Sequence, residues 1–145
     1  NKFGLDAKIV RLFNTYGTYM SKKDMRVIPQ FIEAALKGEG LPVKGEGAQK
    51  RTFCFVSDLV EALQIVMKKG KKGEVYNLGS DKEVSILELA KLVIKITGSK
   101  SKIKFIKREG HDHQSRMPDL KKVGKLGWIS KVSLEQGLAK TLQSV

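Results

Sequence analysis

An α/β fold is the class this sequence predicts, and three observations carry that expectation. Strand-length apolar runs alternate with amphipathic helical stripes along the chain. Two capping boxes, Ser85 with Glu88 and Ser133 with Gln136, mark helix starts. Only two or three of the strands look apolar enough to be central, so a doubly wound sheet is not expected to be completed from these residues alone. The 145 residues, 41% hydrophobic and 30% charged, can bury a core and are too apolar for a disordered chain.

The elements follow in order. Residues 8–13 (KIVRLF) read as a short buried strand, and a polar loop, NTYGTYMSKKD, comes next. Residues 26–37 carry Val27, Ile28, Phe31, Ile32, Ala35 and Leu36 at helical spacing. Pro29 falls in the first turn of that helix, where a missing N–H is tolerated, and Gly38 and Gly40 close it. Residues 41–44 are extended, and Gly45 to Gly47 turn the chain. Residues 52–56 (TFCFV) are apolar on both faces and predict one covered strand. Ser57 is the expected N-cap of a helix running to Met67, with Gly70 as its stop. A strand over 75–78 and the Ser85-capped helix ending at Gly98 follow. A strand over 103–106 comes next, then a polar stretch to Pro118, a short helix from Asp119 towards Leu126, and the Ser133-capped helix. The opening residues NKFGLDAK read as a helix end turning into a strand, so the chain is expected to begin inside a larger protein.

The net charge of +13 admits two readings. A polyanion partner is one, since clustered Lys and Arg neutralise phosphates. A lysine-rich solvated surface is the other, and we favour it. The lysines are scattered apart from clusters at 68–72 and 121–125, and the aromatic residues do not interleave with them as a base-stacking platform requires. Nucleic acid is therefore not the expected partner, and no apolar run reaches membrane-spanning length. A single cysteine, Cys54, fits a reducing, cytoplasmic setting.

Several chemistries lack their signature. GEGLPVKGEG follows a helix rather than a strand, so its glycines are read as turn formers and not as a dinucleotide fingerprint. Neither a P-loop nor a G-x-S-x-G elbow occurs. None of Tyr16, Tyr19 and Tyr76 is read as having a lysine four residues on, so no catalytic Tyr-x-x-x-Lys pair is expected and no catalytic residue is assigned. His111-Asp112-His113 with Cys54 is a weak metal set, because zinc needs three or four convergent ligands; no metal is expected. The arginines are more informative. Arg11, Arg26, Arg51 and Arg116 occupy strand, helix-start and loop positions in a chain whose basic residues are mostly lysine. Planar recognition of phosphate or carboxylate and internal ion pairing both account for such placement. Asn14, directly after a strand, either meets a ligand or caps its loop.

These residues resemble a known family. Arg11-Leu-Phe-Asn14-Thr-Tyr16-Gly17 resembles the R-x-x-N-x-Y-G-P segment of extended short-chain dehydrogenases/reductases, the NAD-dependent nucleotide-sugar epimerases and dehydratases. Arg26-Val-Ile-Pro29-Gln-Phe31-Ile resembles the helix that follows. The stretch from Leu41 to Asp58 resembles LPVYGxGxQxRxFxYVxD. Tyr76-Asn77-Leu78-Gly79, Arg116-Met-Pro118-Asp119 and Leu126-Gly127-Trp128 match later landmarks, in order and over essentially the whole chain. The wording is nearest to UDP-glucuronate decarboxylases (FNTYG, MRV, FVSDLVEAL) and next to dTDP-glucose 4,6-dehydratases (VIP, LPV, Gly110-His111-Asp112). Thr18 replaces the usual proline, Tyr19 stands where decarboxylases commonly have arginine, and Lys44 replaces an aromatic residue.

The resemblance implies an α/β fold forming the C-terminal part of an extended short-chain dehydrogenase, with the last Rossmann strands and a small substrate-binding domain. On that reading residues 1–145 are the substrate-binding portion, and the NAD-binding Rossmann portion with the catalytic pair lies elsewhere. It implies a UDP- or dTDP-sugar as ligand, NAD as cofactor and a homodimeric parent protein. Asn14 would meet the diphosphate or sugar, Arg26 the sugar or its carboxylate, and Leu41 and Val43 the base. Arg51 and Arg116 would clamp the diphosphate, while Arg11 and Phe13 would lie near the nicotinamide.

Overall fold

Helices α1 (Val27–Lys37), α3 (Ile86–Thr97) and α5 (Leu134–Leu142) bury their apolar stripes against one another and against β3 (Leu41–Lys44), making the larger of two cores. The computed structural model describes residues 4–21, 24–107 and 114–144. Among these, β1 (Ile9–Leu12) pairs in parallel with β6 (Val75–Leu78), and β3 pairs in parallel with β8 (Ile103–Ile106). The pair β2 (Thr15–Tyr16) and β5 (Cys54–Phe55) is also parallel, whereas β4 (Lys50–Thr52) and β7 (Glu83–Ser85) run antiparallel. Helix α2 (Val56–Lys69) and the single-turn α4 (Lys121–Gly124) close a second core around Cys54, Leu59, Val66, Tyr76, Leu78 and Trp128. The architecture is the α/β class that the sequence predicts.

Both capping boxes form. Ser85 accepts the Glu88 N–H at 3.1 Å while Glu88 accepts the Ser85 N–H at 2.9 Å. Ser133 and Gln136 exchange the same pair at 3.2 and 3.1 Å. Gly38 and Gly98 end their helices in the left-handed region, at φ 71° and 63°, where a side chain would be strained.

Four expectations need correction. The single strand over 52–56 is two strands with different partners, because the ladder changes at Phe53: β4 pairs with β7 and β5 with β2. Helix α2 is capped by Phe55 rather than Ser57 and runs on to Lys69. The helix expected from Asp119 to Leu126 is only a single turn, although Asp119 does accept the Lys121 N–H at 2.9 Å. The strand read as buried is largely uncovered: Val10 meets the second core, but Ile9 and Leu12 are 53% and 55% exposed and Arg11 is exposed too. β6 borders β1 along one edge, and an apolar run is buried on both faces only where neighbours cover both.

A buried carboxylate joins the two halves. Asp58, 3% exposed in the first turn of α2, accepts hydrogen bonds from Ser130 Oγ (2.9 Å) and from the N–H groups of Lys131 (2.7 Å) and Val132 (2.9 Å). The Trp128 indole N–H donates to the Asp58 carbonyl at 3.1 Å. These bonds fix the segment that launches α5, and α5 then packs on Tyr16. A Cβ on Gly137 would lie 2.1 Å from the Tyr16 hydroxyl oxygen, so only glycine admits that ring. Burial, with the Cys54 thiol and the Asp58 carboxylate nearby, pushes the Tyr16 phenol well above its ordinary range. Burial likewise pushes the Cys54 thiol up to about 12, helped by the Asp58 charge.

Four outcomes follow. Gly137→Ala should destabilise the fold by about 2 kcal/mol in chemical denaturation, although alanine is the better helix former by about 1 kcal/mol. Asp58→Ala should cost roughly 3 kcal/mol, because two part-buried N–H groups and a hydroxyl lose a charged, buried acceptor. The raised Cys54 and Tyr16 groups hold their protons more tightly folded than unfolded. Their stabilising contribution is complete below the ordinary thiol value of 9.0 and should fade as pH rises from there towards about 12. Alkylation of Cys54 at neutral pH should be roughly a hundredfold slower than that of an exposed thiol.

Candidate functional site

The strand ends and the start of α1 surround an open cleft of about 280 Å³, close to the lower limit of small-molecule sites, roughly 300 Å³. Asn14 and Thr15 enter it from the end of β1 and from β2, Arg26 to Gln30 from the start of α1, Pro42 and Lys44 from β3, and Arg51 from β4. Gln49, Phe53 and Ile86 complete its floor. Phe53 reaches it because the ladder switches there, and its ring stands edge-on to Tyr16 with centroids 6.4 Å apart. Among the described residues that line the cleft none is acidic, while Arg26, Lys44 and Arg51 are cationic. The arrangement suits an anion.

Each candidate residue has a definite place. Asn14 donates its side-chain amide to the Thr52 carbonyl at 3.0 Å, and its own carbonyl accepts the Cys54 N–H at 2.9 Å, so it ties β2 to the β4–β5 junction. It is thus both the loop anchor and a cleft residue. Arg51 is half-buried, with Nη1 donating to the Lys50 carbonyl at 2.6 Å. Arg26 meets Asp24 through Nε (2.9 Å) and Nη2 (2.6 Å), and it donates from Nη1 to the Thr15 carbonyl at 2.9 Å. The Arg26 guanidinium and backbone N–H hold the Asp24 carboxyl below the usual range.

Leu41 and Val43 are completely buried, and their side chains belong to the larger core. Strand alternation gives the cleft Pro42 and Lys44 instead, so a side-chain contact from β3 to a ligand comes from those two. Arg116 is exposed and is not among the cleft-lining residues. Its segment is nonetheless tied to the ribbon that carries Arg51: the Lys50 N–H donates to the Gln114 carbonyl at 2.7 Å, and Ser115 bonds Glu83. Phe13 is half-buried and extends the β1–β6 ladder by donating its N–H to the Leu78 carbonyl at 2.9 Å; Arg11 lies exposed one pleat earlier.

Sequence reasoning overlooked Lys44, Pro42 and Gln49 as cleft residues. Counting forward from the buried Leu41, the intervening positions 42 and 44 fall on the other face of β3, which would have found the first two. It also took Tyr19 to lack a lysine four residues on, and this needs correction, since Lys23 has that spacing. The spacing aligns two side chains only on a helix. Tyr19 instead lies in a turn at φ 60° and is 88% exposed, and Lys23 lies outside the described residues. The glycines at 38–47 close α1 and turn the chain after β3; none of them sits between a strand and a following helix, so they form no pyrophosphate cradle. His111, Asp112 and His113 lie outside the described residues, and Cys54 is buried. Among the described residues no helix is long and apolar enough to cross a membrane.

Comparison with known proteins bears on the same residues. Residues 1–79 match the NAD dependent epimerase/dehydratase family. UDP-glucuronic acid decarboxylase 1 of Danio rerio is 43% identical over 141 residues, covering 97% of this chain and 34% of that protein. UDP-glucuronic acid decarboxylase 6 of Arabidopsis thaliana is 40% identical over 136 residues, covering 93% of this chain and 39% of that protein. The chain thus spans between a third and two fifths of these relatives' length. The Thermotoga maritima UDP-glucose 4-epimerase solved with UDP-glucose superposes with a TM-score of 0.91 at 32% identity, covering 99% of this chain and 47% of that one. The Bacillus anthracis dTDP-glucose 4,6-dehydratase solved with NAD gives 0.83 at 33% identity, covering 94% and 43%. The sequence motifs, the mixed α/β fold and the family match agree, and the chain belongs to the NAD dependent epimerase/dehydratase family.

Proposed function

We propose that this chain is the C-terminal, substrate-binding portion of an NAD-dependent nucleotide-sugar enzyme, and that its cleft takes the diphosphate and adjoining sugar of a UDP- or dTDP-sugar. The observation that carries the reading is the cleft itself, with three cations and no acidic side chain among its described lining residues. A sugar nucleotide brings at least two negative charges on its diphosphate, and forked arginine donors suit them. Arg51 is the principal contact, Lys44 adds a cation from the neighbouring strand, and Asn14 contributes from the loop. Arg116, on the segment tied to β4, meets the outer phosphate.

UDP-glucuronic acid is the favoured ligand, because the relatives cited above act on it by name. NAD, when bound, supplies a hydride acceptor for oxidation of the sugar. The residues of this chain hold and orient the substrate, while Arg11 and Phe13 border the cofactor side. Three apolar side chains in and just before β1, those of Leu5, Ile9 and Leu12, are each more than half exposed, which supports the view that further protein packs there.

Titration calorimetry with UDP and dTDP tests the reading. The protein should bind UDP, and Arg51→Ala should weaken binding about tenfold, since a charged bidentate contact is lost. Lys44→Ala should weaken it by a smaller factor and flatten its salt dependence. Absence of binding to both nucleotides at low salt would refute the proposal.

A further inference from the structure

We propose that Asp24 is a positioning residue of the cleft, one that holds the Arg26 guanidinium so that its remaining N–H groups meet the anionic part of the ligand. The proposal rests on the nucleotide-sugar reading above. Its starting point is an asymmetry within the pair: the Asp24 side chain is 16% exposed, the Arg26 side chain 60%. The carboxylate is mostly covered, while the guanidinium lies open beside the cleft that Arg26 lines.

The carboxylate is fixed before it fixes anything else. Asp24 Oδ1 accepts the Arg26 backbone N–H at 2.9 Å, a local turn that sets the acid at the entrance to α1. The Arg26 side chain then folds back onto it. Nε lies 3.0 Å from Oδ1 and 2.9 Å from Oδ2, and Nη2 lies 2.6 Å from Oδ2. A third anchor comes from another segment, where Nη1 donates to the Thr15 carbonyl of β2 at 2.9 Å. A guanidinium has five N–H groups. These bonds use the one on Nε and one on each terminal nitrogen, which leaves one on each terminal nitrogen for a ligand.

Two effects of Asp24 oppose each other. Its negative charge partly neutralises Arg26 and weakens the pull on an anion. Its hydrogen bonds order a long side chain that would otherwise lose its freedom on binding. The second effect dominates because the pair is exposed on the Arg26 side, where solvent screens net charge but not hydrogen-bond geometry. An incidental surface ion pair would leave ligand affinity unaltered.

The experiment is a double-mutant cycle with UDP-glucuronic acid as the probe, by calorimetry at one ionic strength, with melting temperatures measured in parallel. Asp24→Ala should weaken binding about tenfold when Arg26 is present and less than about twofold in the Arg26→Gln background, because a residue acting through another has no effect once that partner is gone. Asp24→Asn keeps an acceptor for the backbone N–H and should fall between Asp24→Ala and the parent protein. Equal losses in both backgrounds would make Asp24 merely structural and overturn the proposal, as would unaltered or tighter binding by Asp24→Ala. If the unmutated protein itself fails to bind UDP-glucuronic acid, the choice of that ligand falls and this proposal falls with it, while the wider nucleotide-sugar reading is decided by the UDP and dTDP titrations. If the unmutated protein binds and the cycle shows no coupling, only the positioning role falls.

Discussion

Asp58 lies where three parts of the chain must meet, and its buried carboxylate is the interaction on which the cleft depends. It accepts two backbone N–H groups and a hydroxyl from the segment at 130–132, while the Trp128 indole closes on its carbonyl. A buried carboxylate is costly unless it is hydrogen-bonded, and here three donors converge on one of its oxygens, Oδ2. The bonds anchor the entry to α5. In turn α5 presents Gly137 to the Tyr16 ring, and Tyr16 is the second residue of the strand that follows Asn14. A structural carboxylate on α2 thereby controls where the cleft residues at 14–16 lie.

The two-residue strand β5 does comparable work by alternation. Cys54 points into the core beneath α2 and Phe55 into the core of α1, α3 and α5, so two residues serve two hydrophobic layers. The residue before them, Phe53, pairs with neither strand partner and turns into the cleft. The change of ladder partner is therefore what builds the cleft floor. A continuous strand through 52–56 would have buried Phe53 or sent it out to solvent.

Charge is divided by residue type as well as by place. Lysines account for most of the excess, and apart from Lys44 the described ones lie away from the cleft, several of them in exposed pairs such as Lys37–Glu33, Lys131–Glu61 and Lys122–Glu74. Such pairs add little to stability. Arginines 26 and 51 line the cleft, where planar donors matter more than bulk charge. The net charge of +13 by itself therefore does not locate the cleft, whose lining includes two of the described arginines.

Local rules made much of the fold legible from the sequence alone. Ser85, Ser133, Gly38 and Gly98 mark helix ends through bonds or backbone angles reached within a few residues, and the three core helices appear where their periodicity predicts. The motif order also identified the family, since it is a property of the linear chain. What tertiary structure alone decided involves partners far away in sequence. β2 and β7 are too short and polar to announce themselves, and each exists because a distant strand pairs with it. Leu41 and Val43 went to the core and Lys44 to the cleft because α1 and α3 cover one face of β3. Arg26, already paired with its near neighbour Asp24, gained its second anchor only once the Thr15 carbonyl came within hydrogen-bonding reach of it. Spacing along a chain specifies periodic faces and caps; which face is covered and which donor finds which acceptor depends on contacts that form only when the whole chain has packed.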